Sequence, residues 1–561
     1  MSLRAILFHC VFLFFCLNAL EAQNQIIITD DDLQGGNAYT WTSANEYLLD
    51  GLVYLEAGGV LTIEPGTVIR GRNSANISNG DFNSALIISR GAQIFAEGTS
   101  TQPIIFTAED DDLLDPADFF PTDVGEWGGL LLLGNATIAR PEGLSNIEGI
   151  NISDERAAYG GTDDTDNSGT LRFVSIRHAG GTLSPDNEIN ALTLAGVGSG
   201  TTIDYVEVYA ALDDGFEFFG GTVNAYHLVS AYCQDDAFDI DQGYRGIGQF
   251  WLGLAAGRRL LEIDGASPDP QPPFSQPNLV NLTLVGGPVD PFSTGEPGEI
   301  LFRDNSGGHL RNSVVVNALP QGVVIEDRDD TSTDDAYARF IAGDLTITNN
   351  YFNNEGGLTD WTTFSQLINQ SEEIVPLTTL SSYLDTNNEL TDTPVIRSSN
   401  TDNSMLFDPL PRQGSSILTG GSSLMEPGLA TVGYQGAFGE NDNWLDWTFL
   451  KSSPSDFQII SGRISQSANC TYNASDAPAA GVIVRLETDG AFRFTTTDAN
   501  GEYATFVPTG TTSVTALAPG TAWLPCTSSP GTLAATWNPA ARQPGLKTKS
   551  RTHMAIENPP A

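Results

Sequence analysis

The chain has 561 residues and carries 70 Asp and Glu against 25 Lys and Arg, a formal net charge of −45. So acidic a surface repels nucleic acid and anionic membrane while attracting divalent cations, which excludes nucleic-acid binding and makes a hard cation an expected partner. Short alternating apolar runs between Gly, Asn and Asp turns, with few amphipathic helical periods, exclude an all-α architecture and indicate an all-β class.

In chain order, Arg4 precedes an apolar run from Ala5 to Leu20 that ends in Glu21-Ala22-Gln23. Residues 1–22 therefore read as a removed signal peptide, too short for a comfortable membrane span, and no later stretch is both long and apolar enough for one. Bulky Phe14 and Phe15 before Cys16 argue against a lipid anchor. The expected location is extracellular or at the outer cell surface.

Repeats follow. Val60 to Ile69 is echoed by Ala85 to Ile94 and, more loosely, by Gly129 to Ile138, each a strand, a glycine corner and a second strand. Phe216-Glu217-Phe218-Phe219, Phe238-Asp239-Ile240-Asp241 and Leu261-Glu262-Ile263-Asp264 then align at offsets of about 22 residues. A neighbouring strand aligns Val206 with Val229 and Leu252, and Val208 with Ala231 and Leu254, as two apolar columns; Val174, Ile176, Leu192 and Leu194 extend the pattern one turn earlier. Hairpins do not keep one offset through two separate strands, whereas a coil stacked at about 4.8 Å per turn does. The fold predicted for residues 23–450 is a parallel β-helix, a solenoid with Phe216, Phe218, Phe238, Ile240, Leu261 and Ile263 inside and Glu217, Asp239 and Glu262 outside. Trp361 to Asn369 breaks the pattern as a short helix, and aromatic-rich Tyr434 to Trp447 reads as an end cap over open strand edges.

A β-sandwich follows at 459–530, with an irregular tail over 531–561 of different composition. Cys470 and Cys526 bracket the sandwich and are expected to form a disulfide in an exported protein, which leaves Cys233 as a buried thiol.

Several segments carry a resemblance: Leu61 to Ile69, Leu86 to Phe106, Glu126-Trp127-Gly128-Gly129, Tyr159 to Asp164 and Asp213 to Val223. Over residues 45–450 the chain resembles exported bacterial right-handed parallel β-helix surface proteins, which implies a cell-surface or secreted role. From Ile459 to about Thr521 it resembles carboxypeptidase regulatory-like modules, transthyretin-like sandwiches used as spacers.

The register gathers an acidic patch. Glu217, Asp239 and Glu262 form one outward column, Asp241 and Asp264 a second, and Asp213-Asp214 and Asp235-Asp236 occupy successive corners. Like charges about 5 Å apart repel by about 1 kcal/mol in bulk water and more where water is excluded. Two forms of relief are open. Arg258 and Arg259 follow Asp235 and Asp236 one coil on, giving an Arg-paired ladder, and hard oxygen ligands suit Ca²⁺. Arg245 is the third nearby cation. Asp164 to Gly169 resembles the opening half of a calcium loop, but Ser175 stands where the twelfth-position acid belongs.

Two functions remain in view. The first is a non-catalytic surface β-helix for adhesion or contact with extracellular polysaccharide or host glycan, with Tyr209 and Tyr232 as an exposed column for sugar faces. The second is a calcium-dependent polysaccharide lyase or glycoside hydrolase using Asp213, Asp214, Asp235, Asp236, Arg245 and His227. Gly-His-Gly, Arg-x-Lys and pectate-lyase arginine signatures are absent from the sequence, and His178 and His227 sit near strand ends on different turns.

Overall fold

The computed structural model describes residues 24–113, 119–147, 150, 154–184, 187–266, 268–286, 299–318, 322–328, 333–355, 360–368, 374–401 and 407–452, with short strands between 457 and 554. The expected signal peptide, Cys470 and Cys526 lie outside the described residues; Cys233 is a buried free thiol.

Ten strands stack in parallel in one sheet, among them Leu52–Leu55, Ala85–Ile88, Gly129–Leu133, Leu192–Ala195, Phe216–Phe219, Phe238–Asp241, Leu261–Asp264 and Ile300–Arg303. Between them the chain returns through a second, bent sheet of two strand columns. Gly169–Arg177, Thr202–Tyr209 and Asn224–Ala231 span both columns, bending at Phe173, Tyr205 and His227, where φ is 48°, 56° and 50°. The bend recurs at Phe250, Asn281, Asn312 and Asn349, also with positive φ. Asparagine tolerates this left-handed conformation, whereas aromatic side chains are strained there. Stacking offsets the strain: Phe173 lies 4.6 Å from Tyr205, Tyr205 4.1 Å from His227, and His227 5.0 Å from Phe250. The architecture is a parallel β-helix.

Phe216 pairs with Phe238 and Phe218 with Ile240, Ile240 with Ile263, and all six expected core residues are buried. Glu217, Asp239 and Glu262 alternate with them and point away from the core, as the two-residue side-chain period requires.

The bent sheet corrects one expected register. Val206 pairs with Leu228 and Val208 with Ser230, one residue short of the expected alignment, while Val229 pairs with Leu252 and Ala231 with Leu254. A one-residue slip moves side chains to the opposite face. Val206, Val208 and Leu228 accordingly line the interior, whereas Val229, Ala231, Leu252 and Leu254 face outward into a separate apolar cluster.

That outward stripe is covered by residues of 395–401 and 407–452, through Phe407, Ile417, Phe438, Leu445 and Leu450. Tyr434 to Trp447 is thus a lateral strap and not the expected end cap; Trp444 packs edge-on against Tyr205 and His227. The C-terminal end is closed instead by the helices Trp361–Phe364 and Thr378–Asn387, with Leu380 and Leu384 in the core. Further on, Phe457–Arg463 pairs antiparallel with Glu502–Pro508, and Ala491–Thr496 and Thr512–Leu517 flank Ile483–Thr488. In the tail, Thr552–Met554 pairs with Gln466–Ser467.

Buried Glu207 fastens the strap. Its carboxylate accepts the Phe449 and Leu450 amides at 2.8 and 2.9 Å and the Ser175 hydroxyl at 2.7 Å. Arg177 donates to the same hydroxyl and lies 4.0 Å over the Phe449 ring. Glu207→Ala removes these acceptors and leaves the buried Arg177 charge without its neighbouring carboxylate, a class of change that costs about 3–5 kcal/mol. Urea unfolding should show that loss, with proteolysis within 395–452 ahead of global unfolding; an unchanged midpoint would mean the strap is held elsewhere.

Candidate metal centre

Each coil turns from the bent sheet into the sheet of ten parallel strands, which Ile374–Pro376 extends by one antiparallel strand, through a corner stacked on its neighbours. Ala191 N–H donates to the Asp214 carbonyl, Gly215 N–H to that of Asp236, and Ala237 N–H to that of Arg259, at 3.1, 2.9 and 2.8 Å. Asn190, Asp214, Asp236 and Arg259 consequently superpose. A Cβ at Gly215 would lie 2.1 Å from Ser230 Oγ and 2.8 Å from the Ala237 carbonyl, so the tight Asp-Asp-Gly corner needs glycine.

This geometry sorts the predicted acids, Asp241 apart, into two halves that share Asp235. In one, Asp213, Asp214 and Asp235, and also Asp214, Glu217 and Asp239, bring ligand oxygens within 4.8 Å of one another. Asp214 belongs to both sets. Its Oδ1 accepts the Asp236 amide at 2.9 Å, and Asn190 donates to Glu217. Asp239 Oδ1 is sealed from solvent with no hydrogen-bond donor. Hard carboxylate oxygens converging from two successive coils, one of them lacking a donor, fit a Ca²⁺-type cation.

The other half is paired with arginine. Arg258 lies 3.4 Å from Asp235; Arg259 lies 2.5 Å from Glu262 and 3.8 Å from Asp236. Arg303 grips Asp264 through two bonds of 2.8 Å and Glu262 at 2.9 Å. Sequence reasoning missed Arg303 because its coil contains a long excursion, so that it pairs with Asp264 39 residues earlier. Arg245, expected near the patch, instead holds Asp164 at 3.3 Å.

Burial pushes the Asp214, Asp236, Asp239 and Asp264 carboxyls well above the ordinary range, reinforced by Asp213 at Asp214, by Glu262 at Asp236, and by neighbouring acids at Asp239 and Asp264. Burial also raises Asp241. At Glu262 burial acts upward too, but Asp236, Arg303 and Arg259 outweigh it and hold this carboxyl low. The opposite directions at Asp236 and Glu262 share one cause, the hydrogen bond between the two carboxyls, which raises the first and lowers the second.

The remaining candidates lie elsewhere. Tyr209 and Tyr232 are 1% exposed, cross edge-on at 5.5 Å, and the Tyr232 hydroxyl donates to Thr401 under the strap. They offer no face to a sugar, which corrects the expected exposed column. Tyr232 also occupies a positive-φ corner and not the strand column of Tyr209, which pairs with Ala231. His178 is buried against the Asp123 carbonyl, and burial pushes its imidazole down to about 4. His227 is stacked in the aromatic corner and bonded to Asp204 at 2.8 Å. Asp163, Asp164 and Asp166 bond Thr165, the Thr137 amide and Asn135 in place of a calcium loop.

Fold and site together define a solenoid with a buried, cation-compatible acidic seam. The chain matches the pectate-lyase-like beta helix domain over residues 34–394 and belongs to that family, which fits a protein that contacts or acts on polysaccharide. No curated protein and no solved structure matches the chain. No helix among the described residues is long and apolar enough to cross a membrane.

The arginines should differ sharply on removal. Arg259 is buried between two acids, so Arg259→Ala should cost about 3–5 kcal/mol. The half-exposed Arg258 pair should cost under about 1 kcal/mol on Arg258→Ala. Equal losses in chemical denaturation would contradict this division.

The raised aspartates bind protons more tightly folded than unfolded. Their contribution to stability is full below the ordinary carboxylate range and is lost as pH rises through the raised folded values. In chelator, Tm should therefore climb as pH falls from neutral toward that range, and Asp239→Asn should flatten the climb while raising Tm at neutral pH. A Tm that falls throughout this acidification would contradict the assignment.

Proposed function

We infer that this protein is a non-catalytic glycan-contacting β-helix, exported to the cell surface or beyond, in which the acidic seam holds a structural cation. The family supports polysaccharide contact. The observation that carries the non-catalytic reading is the state of the bases. Arg258, Arg259 and Arg303 each engage carboxylates, and His178 and His227 are held by Asp123 and Asp204. A lyase needs a base that can reach a substrate carbon, and a hydrolase needs two carboxyls facing a cleft. Here Asp214, Glu217, Asp236 and Glu262 are buried in the seam.

Ca²⁺, carried by Asp214 with Asp213 and Asp235 or with Glu217 and Asp239, would supply charge neutralisation there. The carboxylates position it and Asn190 orients Glu217. At a hundredfold excess over its dissociation constant such an ion stabilises the fold by about 2.7 kcal/mol.

Purified protein should be retained on insoluble or immobilised polysaccharide without releasing reducing ends or unsaturated uronates, and chelator should lower Tm. Reproducible turnover that disappears in Asp235→Asn would establish the calcium-dependent lyase or hydrolase instead. Identical melting with and without millimolar Ca²⁺ would remove the cation from the reading.

A further inference from the structure

A second polar site lies at the N-terminal end of the sheet that carries the seam. Leu52 and Tyr54 on its first strand, Asn79 to Phe82, Asp30, Ile150, Asp154 and Arg156 enclose a cavity of about 350 Å³. Four strand spacings, about 19 Å, separate that first strand from the fifth, where the acidic seam begins.

The cavity is built around one fixed guanidinium. Arg156 donates to both Asp154 oxygens at 3.0 and 2.9 Å and to both Asp30 oxygens at 3.0 and 2.9 Å, and lies 4.1 Å over the Tyr54 ring. Asp81 accepts the Leu52 amide and the Asn79 amide group, both at 2.8 Å. Phe82, 71% exposed, stands at the rim.

We propose that this cavity is a subsite for one non-acidic sugar residue, neutral or amino-bearing; it rests on the glycan-contact reading and gives that reading a substrate class. Three observations carry it. A volume at the low end of ligand pockets suits a single ring. Each carboxylate offers about four acceptor positions, so Asp30 and Asp81 retain capacity for sugar hydroxyls in fixed orientations. Phe82 provides an apolar face for the C–H side of a pyranose. Charge sets the selectivity: Asp30, Asp81 and Asp154, with Glu56 3.8 Å from Arg156, outnumber one guanidinium that they already occupy. A uronate carboxylate entering here meets excess negative charge, whereas a hydroxyl or ammonium does not.

The test is calorimetric titration of the full chain with pentasaccharides of glucose, galactose, mannose and glucosamine, and with pentagalacturonate. At least one of the first four should bind, about tenfold more weakly to Phe82→Ala and to Asp81→Asn. Met425→Ala, at an 88% exposed side chain outside the cavity lining, should leave that affinity unchanged. Phe82 is exposed, so its loss should leave the melting temperature at the wild-type value. Phe82-dependent binding of pentagalacturonate would overturn the selectivity. Binding of the non-acidic oligomers that ignores both variants would overturn the subsite while leaving glycan contact intact. No binding of any oligomer or polymer to the wild type would overturn both.

Discussion

In-register stacking of successive coils is the constraint on which everything else in this protein depends. Each strand position is repeated about every 4.8 Å, so whatever residue class occupies it meets its own kind above and below. Inside the solenoid this helps, because Phe216 on Phe238 and Phe218 beside Trp251 bury apolar area continuously. Outside it creates obligations. A repeated apolar position makes a sticky stripe, and a repeated acid makes a column of like charge.

The chain meets these obligations with four devices. The strap covers Val229, Leu252 and Val314 on the bent sheet. A second excursion, carrying Ile138, Ile147 and Tyr159, covers Tyr54, Ile87, Leu131 and Leu133 on the other. Aromatic stacking holds the left-handed corner from Phe173 to Phe250, after which Asn281, Asn312 and Asn349 take it over at lower conformational cost. Arginine answers the acids at Asp235, Asp236, Glu262 and Asp264. Each device comes from a segment outside the repeat or from an irregular position within it.

That division explains what the sequence discloses. The sheet of ten parallel strands was legible because Phe216, Phe238 and Leu261 recur with nearly constant spacing, and spacing fixes both depth and direction. The bent sheet was legible only in part. Positive-φ residues such as Tyr205 and His227 interrupt the two-residue alternation, and Val206 falls on Leu228 instead of Val229. The acidic seam could be located from the same offsets, but Arg303 could not, since the excursion before it breaks the count. Nothing periodic marks the strap, so the burial of Tyr209 and Tyr232 beneath it had no local signal. The cavity around Arg156 joins Asp30, Tyr54 and Asp81 across long separations and was invisible for the same reason.

The seam itself has two ways to satisfy its charge, and they compete. Asp214, Asp236 and Asp239 are buried with more carboxylate than arginine, so ionising all of them without a counter-charge is unfavourable. A proton neutralises one carboxylate and adds a donor. A divalent cation neutralises two charges and draws on several oxygens at once, but requires those protons to leave. Acidity and the proposed cation would therefore be alternative stabilisers of one structure, the first dominant at low pH and the second near neutrality. The arginine-paired half depends less on either, because Arg259 and Arg303 are already ion-paired with its carboxylates. It ties three coils together, while the half containing Asp214 would exchange a proton for the proposed cation.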